Sequence, residues 1–500
     1  MNRVIYYFTI ILILHISCVS AQSDQHQRLK QNLDKAIEVF ENDSETKNAL
    51  WGFHAKMVEN GRILASHNAD RSLVPASTLK TVTTAAALSI LGSDFTFKTK
   101  LEYDGYIDEQ GTLHGNLYIT GGGDPTLATN RSDIATHYKS IMKKWLSAVQ
   151  QQGIRKIEGH IIGDASFFGT EIISPKWLWE DTGNYYGAGA SGLSFHENRY
   201  DIIFDTGKKW GESTKLINVI PEVPDVEFIN TVTTASATSG DNAYVYGVPY
   251  NNVFYIRGTL PSGKSGFPVR GAVPEPALFC AHNLMKYLKT KGNVKCEKGA
   301  TTIRKMKLDK TYKKSKKTSF HTIESPPLSK IVFWTNKRSI NLFAESILRM
   351  VGKREFGKAT PQNGIKAVKK FWENRSVQLD GFLMYDGSGL SPINAISTKQ
   401  LANMMAAYKY DSHYQDFFNS LPVAGKSSDV GFLKSFMRST AAAGKMHIKS
   451  GYLNNKRGYT GYTYTKSGEL VAFAVLVNHY TCSNTKMKKK IEKMIKVLAE

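Results

Sequence analysis

The chain has 500 residues, 41% hydrophobic and 22% charged, which is ordinary globular composition and length enough for two to four domains with sizeable cores. A formal net charge of +22 favours a polyanionic neighbour, and only Cys280, Cys296 and Cys482 follow residue 21, so a disulfide scaffold is excluded, leaving room for one internal bridge, Cys280–Cys296. No Cys/His cluster has metal-ligand spacing, and neither a metal nor another cofactor is expected.

Residues 1–21 carry a single charge, Arg3, then an apolar run from Val4 to Leu14 and the small-residue end Val19-Ser20-Ala21. That is the layout of a cleavable secretory signal, and the apolar run is short for a membrane anchor. Secretion argues against a nucleic-acid partner. It leaves an acidic membrane surface or an anionic cell-wall polymer for the basic runs, eight Lys/Arg over Arg304–Lys317 and six lysines over Lys486–Lys496, unless these are simply a solvated loop and helix face.

Residues 22–48 are polar and helix-prone, with Leu29, Leu33, Ala36, Ile37 and Phe40 at helical spacing. Trp51–Val58 and Arg62–Ser66 flank Asn60-Gly61, a hairpin signal. Next comes Pro75-Ala76-Ser77-Thr78-Leu79-Lys80, entering a small and apolar helical run. Serine and lysine three apart share a helix face, which gives a nucleophile its base. The spacing recurs at Ser44, Ser140 and Ser483, all in polar or charged stretches. Only Ser77 follows a helix-entry proline and precedes a buried helix, whose unpaired first-turn N–H groups favour developing negative charge.

From Phe97 the texture changes to short strands and glycine turns, including Lys98–Tyr106, Leu117–Thr120 and Ile157–Gly163. Residues 197–272 are β-rich, with strands predicted at Asp201–Phe204, Glu227–Val232, Ala243–Val248 and Val253–Gly258. A helix over Glu275–Lys291 and a strand over Ala300–Met306 lead to a boundary at Ser325-Pro326-Pro327. Helices are predicted over Leu328–Val351 and Gly364–Glu373, strands over Lys445–Lys449, Gly458–Thr465 and Leu470–Asn478, and a C-terminal helix with Met487, Ile491, Met494, Ile495 and Leu498 on one face. Strands and helices occur at both ends, so the ends can build one sheet around an inserted middle.

Two further motifs are short. Ser339-Ile340-Asn341 lies inside a predicted helix, where Ser339 and Asn341 cannot face one way unless a turn presents them. Lys449-Ser450-Gly451 closes a strand and is followed by Tyr452. In order, Ser-x-x-Lys, Ser-x-Asn and Lys-Ser/Thr-Gly form the motif set of penicillin-recognising serine acyl transferases. The chain resembles the D-Ala-D-Ala carboxypeptidases/endopeptidases of the penicillin-binding protein 4 type, also through Gly121–Leu127, Gly159–Asp164, Ser191–Ser194 and Asp386-Gly387-Ser388-Gly389-Leu390-Ser391.

The resemblance implies an α+β fold: a transpeptidase-like core with an antiparallel sheet flanked by helices, formed by 22–97 and 322–500. It also implies an inserted domain over 98–196 and 273–321, and a nested β-rich domain over 197–272. Ser77 would be the nucleophile and Lys80 its base, Ser339 a proton relay, and Asn341 a substrate-amide ligand that steadies Lys80. Lys449 and Ser450 would hold the terminal carboxylate, with Gly451 and Tyr452 beside them, and the N–H groups of Ser77 and Tyr452 would form the oxyanion site. The expected partners are peptidoglycan stem peptides and, as covalent inhibitors, β-lactams. For a diaminopimelate side chain the matching positions are Asp181, Tyr186, Pro392 and Asn454; Pro392 supplies no cation, and Asp181 reads equally as an ordinary surface carboxylate. Two rivals stand beside the peptidase: a serine β-lactamase, and a non-catalytic cell-wall binding protein on the same fold.

Overall fold

The computed structural model describes residues 25–131, 134 and 137–500, so the expected signal segment lies outside the described residues. Both ends of the chain feed one antiparallel sheet, in the order His447–Leu453, Lys456–Tyr464, Leu470–Asn478, Leu50–Met57, Ile63–His67. Strand Leu470–Asn478 is buried along its whole length because both faces of the sheet are covered. Ala472, Ala474 and Leu476 point into one apolar cluster, and Val471, Phe473, Val475 and Val477 into another.

The first cluster packs helices Leu79–Leu91, Leu328–Arg338, Asn341–Phe356, Pro361–Glu373 and Thr398–Tyr408 against the sheet. Helix Leu79–Leu91 lies at its centre, buried on nearly every side, which is why its sequence shows no polar face. The second cluster joins helix 25–41, through Leu29, Leu33, Ile37 and Phe40, to helix Asn484–Ile495, through Met487, Ile491 and Met494.

Between these halves, Ala300–Thr302, Ile161–Asp164, Leu117–Thr120, Lys98–Tyr103 and Thr318–Glu324 form a mixed five-stranded sheet. Strands Arg199–Asp205, Lys215–Ile220 and Phe267–Ala272 form a three-stranded sheet, and Val253–Pro261 pairs with Glu227–Asn230, Thr233–Ala235 and Asn242–Tyr246. One apolar cluster runs through all of this, from Leu101 and Trp145 to Phe254 and Phe279.

Three predicted elements are corrected. The helix expected over Leu328–Val351 is two helices, Leu328–Arg338 and Asn341–Phe356, broken at Ser339, whose φ of 57° is left-handed. The strand expected over Ala300–Met306 ends at Thr302, whose side chain accepts a hydrogen bond from the Lys305 N–H and caps helix Ile303–Leu308. Ile157–Gly163 is two short strands, because the chain turns at Gly159, where a Cβ would lie 2.3 Å from the Gly115 carbonyl oxygen. Strand Lys215–Ile220 carries no predicted signal, since little of it is buried. Cys280, Cys296 and Cys482 are free thiols, so no Cys280–Cys296 bridge forms. Among the described residues no helix is long and apolar enough to cross a membrane, and no His/Cys/Asp/Glu group has the arrangement to hold a metal ion.

Candidate active site

Pro75 leads into a single 3-10 turn, Ala76–Thr78, which passes directly into helix Leu79–Leu91. Ser77 is half-buried on that turn and Lys80 fully buried one step further. The Lys80 Nζ lies 3.0 Å from Ser77 Oγ, 2.5 Å from Asn341 Oδ1 and 2.6 Å from the Ser388 carbonyl oxygen. Burial pushes the Lys80 amine down to about 7, against the opposing pull of the Asp386 and Glu345 carboxylates.

The turn is held in an uncommon shape, with φ of 48° at Ala76. Two glycines admit it. A Cβ on Gly389 would lie 1.9 Å from the Ala76 carbonyl oxygen, and one on Gly451 would lie 2.6 Å from that of Pro75 and 3.0 Å from the Ser77 nitrogen. The Ser77 turn is therefore clasped between the Asp386–Ser391 loop and strand His447–Leu453, each at a position where only glycine fits.

The break between the two helices brings Ser339 and Asn341 to the same cleft. Ser339 ends the first helix in a left-handed conformation and Ile340 is extended, so the chain restarts as a helix at Asn341. Asn341 accepts from Lys80 and donates through Nδ2 to the Tyr186 carbonyl, 2.8 Å away. Ser339 Oγ accepts from the Lys449 Nζ at 2.9 Å, and Lys449 also donates to the Ser450 carbonyl at 2.7 Å. Lys449 is buried, and burial followed by the neighbouring Lys80 holds its amine well below the ordinary lysine range. Strand His447–Leu453 lies at the edge of its sheet, so its outer side faces the cleft.

Behind the site lies a buried network that the motifs do not announce. Glu345 Oε1 accepts from the Gly387 and Ser388 N–H groups, at 2.9 and 2.7 Å, and so fixes the loop whose Ser388 carbonyl grips Lys80. Burial, with Asp386 beside it, raises the Glu345 carboxyl to about 7. Asp386 in turn accepts from the Gly389 and Ser391 N–H groups, Asn394 and the Trp177 indole. The Asp-Gly-Ser-Gly-Leu-Ser stretch is conspicuous in the sequence, but nothing there tells which carbonyl meets the lysine. Glu345 gives no signal because its stretch of the helix, Asn341–Gly352, is buried on all sides.

Of the other expected residues, Ser450 and Gly451 sit on the strand beside Ser77, and Tyr452 is exposed, its hydroxyl accepting from Asn484 Nδ2 at 2.6 Å. Asp181 is not a surface group. It is buried, raised to about 6 by that burial, and hydrogen-bonded to Tyr186, whose backbone carbonyl meets Asn341. Pro392 is half-buried, and Asn454 is exposed on the hairpin turn after the edge strand and takes part in none of these bonds.

Comparison with known proteins agrees with this architecture. The solved structure of penicillin binding protein 4 from Haemophilus influenzae matches with a TM-score of 0.78 at 23% identity, over 93% of this chain and 98% of that one. A predatory peptidoglycan endopeptidase from Bdellovibrio bacteriovorus matches more loosely, with a TM-score of 0.51 at 16% identity, over 90% and 92% of the two chains. The fold is thus that of the penicillin-recognising serine hydrolases. Residues 29–500 match the D-Ala-D-Ala carboxypeptidase 3 (S13) family, and the chain belongs to it: it is a serine DD-peptidase. Among sequences it is similar to the D-alanyl-D-alanine carboxypeptidase of Actinomadura sp. strain R39, 27% identical over 91% of this chain and 81% of that protein. It is also similar to the carboxypeptidase DacB of Haemophilus influenzae, 25% identical over 88% and 87%.

Proposed function

We propose that Ser77 forms the acyl-enzyme with Lys80 as its base, in an exported enzyme that trims or cleaves peptidoglycan stem peptides and is blocked by β-lactams. The observation that carries this reading is the environment of the Lys80 amine. Two of its three close neighbours, the Asn341 amide oxygen and the Ser388 carbonyl, can only accept hydrogen bonds. A neutral amine has two N–H groups to give them, and its lone pair then points at the third neighbour, the Ser77 hydroxyl. Ser77 Oγ attacks the carbonyl between the two D-alanines as its proton passes to Lys80 Nζ.

The developing oxyanion rests on the N–H groups of Ser77 and Tyr452. As the C–N bond breaks, the leaving nitrogen takes a proton through Ser339, which lies against Lys449. Lys449 and Ser450 receive the terminal carboxylate. Water then attacks the ester carbonyl, releasing the acyl product and returning a proton to Ser77. A β-lactam leaves no amine to depart, and its acyl group stays in the cleft.

In this reading the catalytic domain comprises 22–97 and 322–500, with insertions over 98–196 and 273–321 and over 197–272. Cleavage after Ala21 would release the chain outside the cytoplasm, in the periplasm. The exposed Lys313, Lys314 and Lys316 are free to meet an anionic wall polymer or membrane surface. Asp181 and Tyr186 are the candidate ligands for the side chain before D-Ala.

The test is to incubate the purified protein with a stem pentapeptide and with a cross-linked peptide dimer, identifying products by mass spectrometry. Free D-alanine would mark carboxypeptidase activity and a split dimer endopeptidase activity. Neither product at any enzyme concentration would contradict the reading.

A further inference from the structure

Beside Ser339 and Asn341 the cleft continues into a cavity of about 540 Å3 whose wall carries four guanidinium groups, from Arg131, Arg199, Arg270 and Arg338. Arg199 and Arg270 come from neighbouring strands of the inserted β region, and Arg338 ends the helix that leads to Ser339. Cations from distant parts of the chain therefore converge next to the reacting groups.

Two carboxylates, Glu197 and Asp201, stand against these four cations. Glu197, buried in the wall, accepts from Arg131 Nη2 at 2.9 Å and from the Thr129 hydroxyl, and Asp201 lies 3.4 Å from Arg270 Nε. Glu197 also feels the charge of Arg199, without an ion pair between them, and among the described residues no carboxylate pairs with Arg338, which rests 5.0 Å from the centre of the Phe432 ring. The Arg131 Nε is buried without a hydrogen-bond partner among the described residues. A cavity of this size falls within the roughly 300–1,000 Å3 of small-ligand sites. Guanidinium forks favour carboxylates because two N–H groups match two oxygens.

We propose that this cavity is a subsite for an acidic peptide substrate, binding a carboxylate that lies away from the scissile D-Ala-D-Ala bond and is separate from the terminal carboxylate assigned to Lys449. The inference rests on the peptidase reading. It adds that the enzyme selects substrates by negative charge on the peptide that extends past Ser339 and Asn341.

The test uses two pairs of synthetic peptides. One pair carries the charge on the acyl side, N-succinyl against N-succinamoyl-Lys-D-Ala-D-Ala. The other carries it on the leaving side, acetyl-Lys-D-Ala-D-Glu against acetyl-Lys-D-Ala-D-Gln. kcat/KM is measured for the wild type, Arg199→Gln, Arg270→Gln and the double variant, with active enzyme counted by benzylpenicillin titration. In at least one pair the wild type should favour the carboxylate by ~10-fold or more, falling below ~3-fold in the double variant, as the loss of charge-assisted hydrogen bonds dictates. The responding pair identifies the side on which the subsite lies. No preference in either pair for the wild type, a measurement that needs no variant, would overturn the subsite, as would a preference that survives both substitutions. Wild-type protein that binds no penicillin would instead remove the peptidase reading, and the subsite with it.

Discussion

Lys80 and Lys449 are both buried beside Ser77, and among the described residues neither has a carboxylate within ion-pair distance. Two bare charges this close in a dry site repel, so the free enzyme holds at least one amine neutral. For Lys80, at about 7, the sign is clear: below that pH it is protonated and cannot take the Ser77 proton. Acylation by a neutral β-lactam amide or ester should therefore fall as pH drops below about 7, approaching a tenfold loss per unit. Glu345 and Asp386 pull the Lys80 value upward, so removing the Glu345 charge should lower it. In Glu345→Gln, whose amide oxygen can still accept from Gly387 and Ser388, the rising limb should move to lower pH. A stopped-flow pH profile checks both points; a limb that stays put in the variant would mean that Glu345 acts only as a loop anchor.

At the scale of elements, the site is made by interruptions. The 3-10 turn before helix Leu79–Leu91, the left-handed Ser339 between two helices and the Asp386–Ser391 loop each bend the chain toward Lys80. Gly451 sets how closely the edge strand approaches the turn. Gly451→Ala would put a methyl group against the Pro75 carbonyl and the Ser77 nitrogen. The cost of overpacking to stability is ~1–3 kcal/mol, and because the clash falls on the Ser77 turn itself, penicillin acylation should slow as well. A wild-type rate would show that the turn yields freely.

These interruptions were unequally legible in the sequence. Ser77 and Lys80 could be singled out because proline, spacing and a buried helix coincide there, and the Asn60-Gly61 hairpin for a similar reason. The break at Ser339 could not be placed, since helix-forming residues continue on both sides and serine is an unusual residue for φ of 57°. Only the need for Ser339 and Asn341 to face one way pointed to a turn. Glu345 and the Ser388 carbonyl were hidden because a buried helix and a backbone oxygen leave no pattern in residue types.

Over the whole molecule, segments from the two halves of the chain join in one sheet, and the middle forms sheets of its own. The two are linked: Asn341, at the start of its helix, bonds to Tyr186 from the middle of the chain, and Lys80 is gripped from both the Asn341 helix and the Ser388 loop. Part of the large positive charge is engaged internally. Lys305 pairs with Asp225, Lys317 with Asp164, and Lys486 and Lys490 tie the C-terminal helix to Glu45 and Asp43. The composition announced an anionic neighbour, but it could not tell which cations the fold would use itself and which, like Arg338 beside Ser339, it would leave exposed.

The central claim is that Ser77, activated by Lys80, becomes covalently acylated. Intact mass of the purified protein before and after benzylpenicillin, with peptide mapping and the Ser77→Ala variant as control, tests it most directly. The account predicts one adduct per chain, located on the peptide that contains Ser77 and absent from the variant. An unmodified wild-type mass, or an adduct that persists in Ser77→Ala, would contradict it.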